Sequence, residues 1–292
     1  MLIRRMRVDD VADVERLTAQ AFLDVDERNR LPGAAPPQLR PDDQAAQWRR
    51  RAEHALTHDG AGCWVADSSN CLVGAAISLR RESMWLLATY AVLPEAQGQG
   101  IGRRLLDTAL EYGASCLRGM IVSSPDPRAA RRYRAAGFDL HPMMDGVGVV
   151  RRETLPVPER VREATTADID LADSVDRRTR GAGHGVDHTV LAAGMAMLVV
   201  DRPEGQGYCY LRSPGAVYLL AATTERAAAE LLWAGLASGT AGESVQVPHV
   251  TAANQWALDV AVGAGLDIQT RGYLALRAMR PPAPYLPSGH FL

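Results

Sequence analysis

Three glycines at alternate positions, Gly98, Gly100 and Gly102, lie between an apolar run that ends at Val92 and a segment with apolar residues at helical spacing: Ile101, Leu105, Leu106, Ala109 and Leu110. This reads as strand, glycine-rich turn, helix. A turn without side chains leaves backbone N–H groups and a helix N-terminus free to hold an anion, and a phosphate is the obvious candidate. Spacing narrows the choice of phosphate. A P-loop needs Lys and then Ser or Thr after its last glycine, and Arg103 and Arg104 follow instead. A dinucleotide fingerprint needs G-x-G-x-x-G, whereas the chain has G-x-G-x-G with no acidic partner after a second strand. Elsewhere, His184 and His188 have H-x-x-x-H spacing, but no third ligand is visible in the sequence and Gly185 weakens a helix there, so no metal is expected. Cys63, Cys71, Cys116 and Cys209 lack C-x-x-C spacing and read as small buried hydrophobes.

With its flanks, the glycine-rich stretch resembles the pyrophosphate loop of the GNAT superfamily of N-acetyltransferases. That family's pattern Q/R-x-x-G-x-G/A is met by Gln97, Gly100 and Gly102, and Ala91 to Glu95 (AVLPE) is similar to its strand end. A second piece, Asp126 to Phe138 (DPRAARRYRAAGF), is similar to the family's N-x-x-A-x-x-x-Y-x-x-x-G-F. Ala129, Tyr133, Gly137 and Phe138 fall in register, and Asp126 stands where the family has Asn. The resemblance implies acetyl-CoA as co-substrate and transfer of its acetyl group to a primary amine. It implies a cofactor site made of Tyr90, Ala91 and Val92 on a splayed central strand, of Gln97, Gly98, Gln99, Gly100, Ile101, Gly102 and Arg103 in the loop, and of Asp126. Tyr133 takes the general-acid position. Where the histone acetyltransferase branch has a basic Glu, this chain has Leu86, so the base stays open among Glu82, Asp24, Asp26, Asp145, His141 and a chain of waters. The acceptor reads as a small-molecule amine. A protein acceptor and a non-catalytic acyl-CoA-binding regulatory module are the alternatives.

These residues need a frame to position them. The pattern predicts a strand over 2–7, a helix from Asp9 or Asp10 carrying Val11, Val14, Leu17 and Phe22 on one face, a proline-rich break over 30–41, and a helix over 42–56. Strands over 62–67, 72–81 and 84–92 form a meander with an S-S-N turn between the first two. Then come the loop and its helix, a strand over 117–122, a helix over 128–136, and a hairpin over 138–150 with Asp145-Gly146 at its turn. This is the GNAT order with no missing element. After a linker containing Pro156 and Pro158 the pattern restarts: Val161-Arg162-Glu163-Ala164 mirrors Ile3-Arg4-Arg5-Met6, and Asp168-Ile169 mirrors Asp10-Val11. Asn254, Ala257, Gly265 and Leu266 repeat the spacing of Asp126, Ala129, Gly137 and Phe138. The expected fold is α/β with a mixed sheet, as two tandem GNAT-like domains: a catalytic one over 1–152, a linker over 153–160, a degenerate copy over 161–280, and a tail over 281–292. In the copy, Thr223, Arg226 and Ala228 replace the loop residues and Ala261 replaces Tyr133. In the tail (PPAPYLPSGHFL), Tyr285, Leu286, Phe291 and Leu292 predict docking into a groove of this chain or a partner.

A length of 292 residues suits two domains, each with its own core. Apolar content of 47% and charged content of 23% are those of an ordinary globular chain. The net charge of −2 argues against a nucleic-acid surface, and no apolar run has the length of a membrane span. All 32 basic residues are arginine, so the chain cannot acetylate itself on a lysine side chain. The first residues, MLIRRMRVDD, lack the apolar core of a signal peptide, and the expected location is cytoplasmic. A dimer contact is one use for the second domain.

Overall fold

The bidentate pair between Arg4 and Asp10 (2.8 and 2.9 Å) fixes how the first strand enters the first helix. The same carboxylate accepts the Arg7 amide at 2.7 Å and satisfies a donor that the helix start would leave unbonded. The computed structural model describes residues 1–30, 35–68, 71–158 and 160–292. Residues 31–34 of the proline-rich break, Ser69 and Asn70 of the S-S-N turn, and Glu159 of the linker lie outside the described residues. The chain divides into compact units of Met1–Ala136 and Gly137–Leu292.

The first unit runs β1 (Leu2–Arg5), α1 (Val11–Arg28), α2 (Asp42–Asp59), β2 (Cys63–Ser68), β3 (Cys71–Arg81), β4 (Met84–Val92), α3 (Ile101–Tyr112), β5 (Arg118–Ser123) and α4 (Pro127–Ala135). Its strands lie in the order β1-β2-β3-β4-β5, antiparallel except for the parallel pair β4–β5. Val11, Val14 and Leu17 are buried as their spacing predicts, whereas Phe22 is 37% exposed. Helix α3 buries Ile101, Leu105, Leu106 and Ala109. Its end at Gly113 fits tightly over Trp85, since a Cβ there would come 2.3 Å from the indole. The buried Asp59 gathers Arg81 (2.8 Å), the Tyr112 hydroxyl (2.9 Å) and the Arg80 amide (2.8 Å), joining the ends of α2, β3 and α3.

The second unit contains β6 (Asp139–Val149), β7 (Arg162–Glu163), α5 (Ile169–Thr179), α6 (Asp187–Gly194), β8 (Ala196–Arg202), β9 (Gly205–Ser213), β10 (Ala216–Ala222), α7 (Glu225–Ala237), β11 (Ser244–Thr251), α8 (Gln255–Gly263), β12 (Asp267–Arg277) and β13 (Tyr285–Leu286). The expected hairpin over 138–150 is a single strand. Asp145 does not turn the chain because its carboxylate is buried, accepting Gln246 Nε2 at 2.7 Å and the His249 amide at 2.9 Å. Gly146 permits close packing instead, since a Cβ there would lie 2.8 Å from Ala261 Cβ. Strand β6 therefore continues through these residues and pairs antiparallel with β12 on one side and β11 on the other. Among the described residues the second strand of that hairpin is not formed, and the boundary between units falls ahead of the proline-containing linker.

A second sheet of this unit, β13-β10-β9-β8-β7, restates the meander of the first. Arg162 grips Asp168 at 2.9 and 2.6 Å, and Asp168 accepts the Thr165 amide at 2.7 Å, which repeats the Arg4–Asp10–Arg7 arrangement. Gly137 (φ 85°) and Gly265 (φ 84°) repeat each other after α4 and α8. The arginine hydrogen bonds hold the carboxyls of Asp10 and Asp168 below their ordinary range. A depressed folded pKa gives stability that is present above the unfolded value of about 4 and is lost as pH falls through the folded one. The double variant Asp10→Asn, Asp168→Asn is expected to flatten the acid limb of a Tm-against-pH profile between neutrality and pH 3. A limb as steep as that of the native chain would show that the pairs do not contribute.

Candidate active site

Gly98 (φ 80°) and Gly100 (φ 78°) adopt left-handed backbone, which glycine enters without steric penalty. A Cβ built at either would meet nothing within 4 Å, so the space over the turn is open. Gly100 precedes α3, and the Arg104 amide is bonded to the Gly100 carbonyl at 3.2 Å, so the amides before Arg104 are those a helix start leaves for an outside acceptor. Arg103 and Arg104 are exposed on the same turn, Arg103 lying 3.5 Å from Asp107.

Gly102 has a different reason to be glycine. A Cβ there would stand 2.4 Å from the Tyr90 hydroxyl, so the missing side chain makes room for a phenol. Gly102→Ala is expected to lower Tm by several degrees through overpacking, and Tyr90→Phe in the same chain should restore most of the loss. Additive effects in thermal melts of the single and double variants would contradict this reading.

Beside the turn, the central strands diverge. Strand β4 pairs with β5 over Met84–Arg118, Trp85–Gly119 and Leu86–Met120, and the pairing stops there. On its other edge β4 stays paired with β3 through Thr89, Tyr90, Ala91 and Val92, after a bulge at Ala88 between Leu87 and Thr89. Among the described residues of this unit, β4 has no strand partner on its β5 side beyond Leu86. Ser123 ends β5 there, and Tyr133 of α4 lies with its ring centroid 6.1 Å from that of Tyr90. Tyr133 is 4% exposed. Burial, reinforced by Tyr90, pushes its phenol well above the usual range, against the pull of a hydrogen bond with Ser123. Burial likewise pushes Tyr90 up to about 12. Both phenols carry their protons at neutral pH.

The side chains of Gln97 and Asp126 are occupied within the protein. Gln97 Nε2 donates to the Val92 carbonyl at 2.9 Å, and its Oε1 accepts from Arg128 Nη1, so it braces the loop between β4 and α4. Asp126 caps α4 by accepting the Arg128 amide at 2.8 Å. It is paired with Arg128 at 3.0 Å and approached by Arg28 at 3.5 Å. Burial opposes its charge, but the bonds from Arg128 and the field of Arg28 prevail, and its carboxyl is held below the usual range. The candidates for a base disperse. Asp24 is paired with Arg28 at 2.6 Å, Asp145 is spent on β11, and Glu82 lies before the start of β4, more than about 20 Å of extended strand from Tyr90. His141 belongs to β6 of the second unit, and Asp26 lies on α1 close to Asp24.

The model of the acetyltransferase (GNAT) family matches residues 25–138, which span the splayed strands, the open turn and Tyr133. The chain carries a domain of the GNAT acetyltransferase family. That domain is one of an acyltransferase family. A crystallised candidate acetyltransferase of Pyrococcus horikoshii superimposes with a TM-score of 0.72 at 16% identity, over 96% of this chain and 89% of its own. GCN5-related N-acetyltransferases from Sphaerobacter thermophilus (TM-score 0.59, 15% identity, 96% of each chain) and Kribbella flavida (0.57, 19%, 94% of this chain and 71% of the other) also match. At such identities the likeness is one of fold, and it extends over both units. No curated protein matches by sequence.

The second unit is GNAT-like in frame, but its turn is gone. In the first unit residues 93–100 join β4 to α3, whereas only Thr223 and Thr224 join β10 to α7. In the first unit β4 has β5 as a parallel neighbour. In the second, β10 pairs antiparallel with β13 of the tail, Leu220 with Leu286 and Ala221 with Tyr285. Asn254, in register with Asp126, accepts the Tyr285 amide at 2.9 Å and donates to the Pro282 carbonyl at 3.1 Å. The tail therefore docks in its own chain, burying Tyr285, Leu286, Phe291 and Leu292. Among the described residues, no helix is long and apolar enough to cross a membrane.

Proposed function

We propose that the first unit moves the acetyl group of acetyl-CoA to the primary amine of a small molecule, with Tyr133 protonating the departing thiolate. The observation that carries this reading is the end of the β4–β5 ladder at Leu86 and Met120, beside an open glycine turn and a buried, protonated phenol. Acetyl-CoA supplies an activated thioester. The amides of Gly98, Gln99, Gly100, Ile101, Gly102 and Arg103 would hold its pyrophosphate, with charge from Arg103. The free edge of β4 at Tyr90, Ala91 and Val92 would bond its amide-bearing arm and polarise the thioester carbonyl. Gln97 acts at one remove by fixing the loop. Asp126 can accept a hydrogen bond from the arm, and its arginine partners offset its charge.

The chemistry asked of the chain is modest. Holding the carbonyl against the amine is positioning, and the amine arrives by losing a proton to solvent. As the C–N bond forms and the C–S bond breaks, the sulfur takes the proton of the Tyr133 hydroxyl and the attacking nitrogen gives up one of its own to solvent, which returns a proton to the tyrosinate. The second unit, with a two-residue turn and its slot lined by the tail, is read as a scaffold without a second acetyl-CoA.

Calorimetric titration with acetyl-CoA tests the reading. We expect one equivalent per chain, and at least tenfold weaker binding by Gly100→Glu, which puts a side chain into left-handed backbone and a carboxylate among the amides. Two equivalents would assign a site to the second unit. No binding would remove the transferase reading. A panel of small amines and of N-terminal and lysyl peptides, read by thiol release, then tests the acceptor class.

A further inference from the structure

Asp173 and Asp176 of α5, His184 in the turn after it and His188 of α6 come together inside the second unit, against Tyr208 and Tyr210 of β9. Asp176, His184 and His188 each bring a donor atom within 4.8 Å of the other two, and none is more than 2% exposed. The Asp176 carboxylate accepts the Tyr208 hydroxyl on Oδ1 at 2.6 Å and meets His184 Nδ1 on Oδ2 at 2.6 Å. A carboxylate only accepts, so the proton of that second bond belongs to His184 Nδ1. The ring's other nitrogen, Nε2, is then the one left to meet a further partner. That Nε2 is buried with no hydrogen-bond partner.

His188 repeats the pattern. Its Nδ1 lies 2.9 Å from the Tyr210 hydroxyl, and its buried Nε2 has no aligned partner. It faces Asp173 Oδ1 at 3.3 Å and Asp176 Oδ2 at 3.7 Å. Arg180 does not meet the need for a donor, because its N–H groups go to the carbonyls of Ala182, Gly183 and Leu292. Buried carboxylates beside unpartnered ring nitrogens are unfavourable unless a cation joins them. Ligand atoms of a tetrahedral zinc ion, at about 2.0–2.2 Å from the metal, stand about 3.3–3.6 Å apart, close to the separations around His188 Nε2.

We propose that this cluster binds one divalent transition-metal ion of the zinc class, with His184, His188 and Asp176 as ligands and Asp173 completing the set. Two imidazoles with carboxylates suit zinc, cobalt or nickel rather than magnesium or calcium. The hydroxyls of Tyr208 and Tyr210 orient a carboxylate and a ring, as outer partners of metal ligands do. Asp176, His184 and His188 are shut off from solvent, so the ion ties α5 to α6 and is structural. The spacing of His184 and His188 alone conceals it: His184 precedes α6, and the third donor arrives from a different helix.

The full chain is dialysed against a chelator, loaded with Co²⁺ and desalted. One retained equivalent with the visible absorption of tetrahedral cobalt is expected, and Zn²⁺ should raise Tm by about 5–10 °C over the stripped chain. His184→Gln and Asp176→Asn should each weaken uptake at least tenfold. His54→Gln with His58→Gln, which removes the other histidine pair at helical spacing, should leave uptake unchanged. A native chain that retains no cobalt and melts at the same temperature with and without zinc would overturn the proposal and leave a protonated His188 shared by two carboxylates. So would uptake lost with His54 and His58. The measurements on the native chain decide even where a variant does not fold.

Discussion

Tyr133→Phe is expected to lower kcat about 10²- to 10⁴-fold while the affinity for acetyl-CoA stays within about twofold. The substitution removes one oxygen from a side chain that is 4% exposed, so the ring still fills its place against Tyr90 and the fold is preserved. What is lost is the proton that the leaving sulfur would take. Burial raises the phenol above its ordinary range, so it is protonated throughout the neutral region, and native kcat should show no alkaline fall on its account up to about pH 10. Any acid limb then belongs to the amine, which must be deprotonated to attack. Steady-state kinetics with both chains over pH 6–10, paired with calorimetry, separate the roles. Unchanged kcat in Tyr133→Phe would make the residue a core tyrosine. Loss of acetyl-CoA binding would make it part of the cofactor site.

What the sequence revealed and what it concealed differ by the range of the interactions. The strand, turn and helix around Gly98–Gly102 rest on local periodicity and on glycines whose left-handed backbone is a local demand, so they could be read directly. The mirrored segments around Arg4 and Arg162 were legible as a repeat, but that Arg4 grips Asp10 and Arg162 grips Asp168 appears only in the structure. Gly102 looked like part of the same anion motif, yet its constraint comes from Tyr90, on the preceding strand. Asp145-Gly146 has the chemistry of a tight turn, but partners about a hundred residues away, Gln246 and His249, hold it in a continuous strand. Gln97 matched a family position without showing that its amide would be spent on Val92 and Arg128. Ser123 and Arg128 could have been noticed only from register, since Ser123 ends the strand before α4 and Arg128 sits two residues after Asp126.

Tyr285→Ala is expected to destabilise the second unit by about 3–5 kcal/mol, the range for emptying a fully buried aromatic site, and to lower its Tm by about 10 °C. The side chain has 0% exposure, and its backbone is held from both sides, by Asn254 Oδ1 at 2.9 Å and through pairing with Ala221 of β10. The neighbouring Ala222 amide donates to the Pro284 carbonyl at 3.2 Å, so the segment acts as a strand of the sheet and not as a loose end. In the first unit, among the described residues, the pairing of β4 with β5 ends at Leu86, and the residue in register with Asn254 is Asp126. The tail thus takes up hydrogen bonds in the second unit of the kind proposed for the arm of acetyl-CoA in the first. If the tail alone kept acetyl-CoA out, Tyr285→Ala would raise the binding stoichiometry from one toward two. With only Thr223 and Thr224 between β10 and α7 there is no amide cradle to receive a pyrophosphate, and the stoichiometry should stay at one even as the melt shifts. Thermal melts and calorimetry on the same variant separate these roles: a shifted melt with one equivalent makes the tail a structural strand, and two equivalents make it a plug.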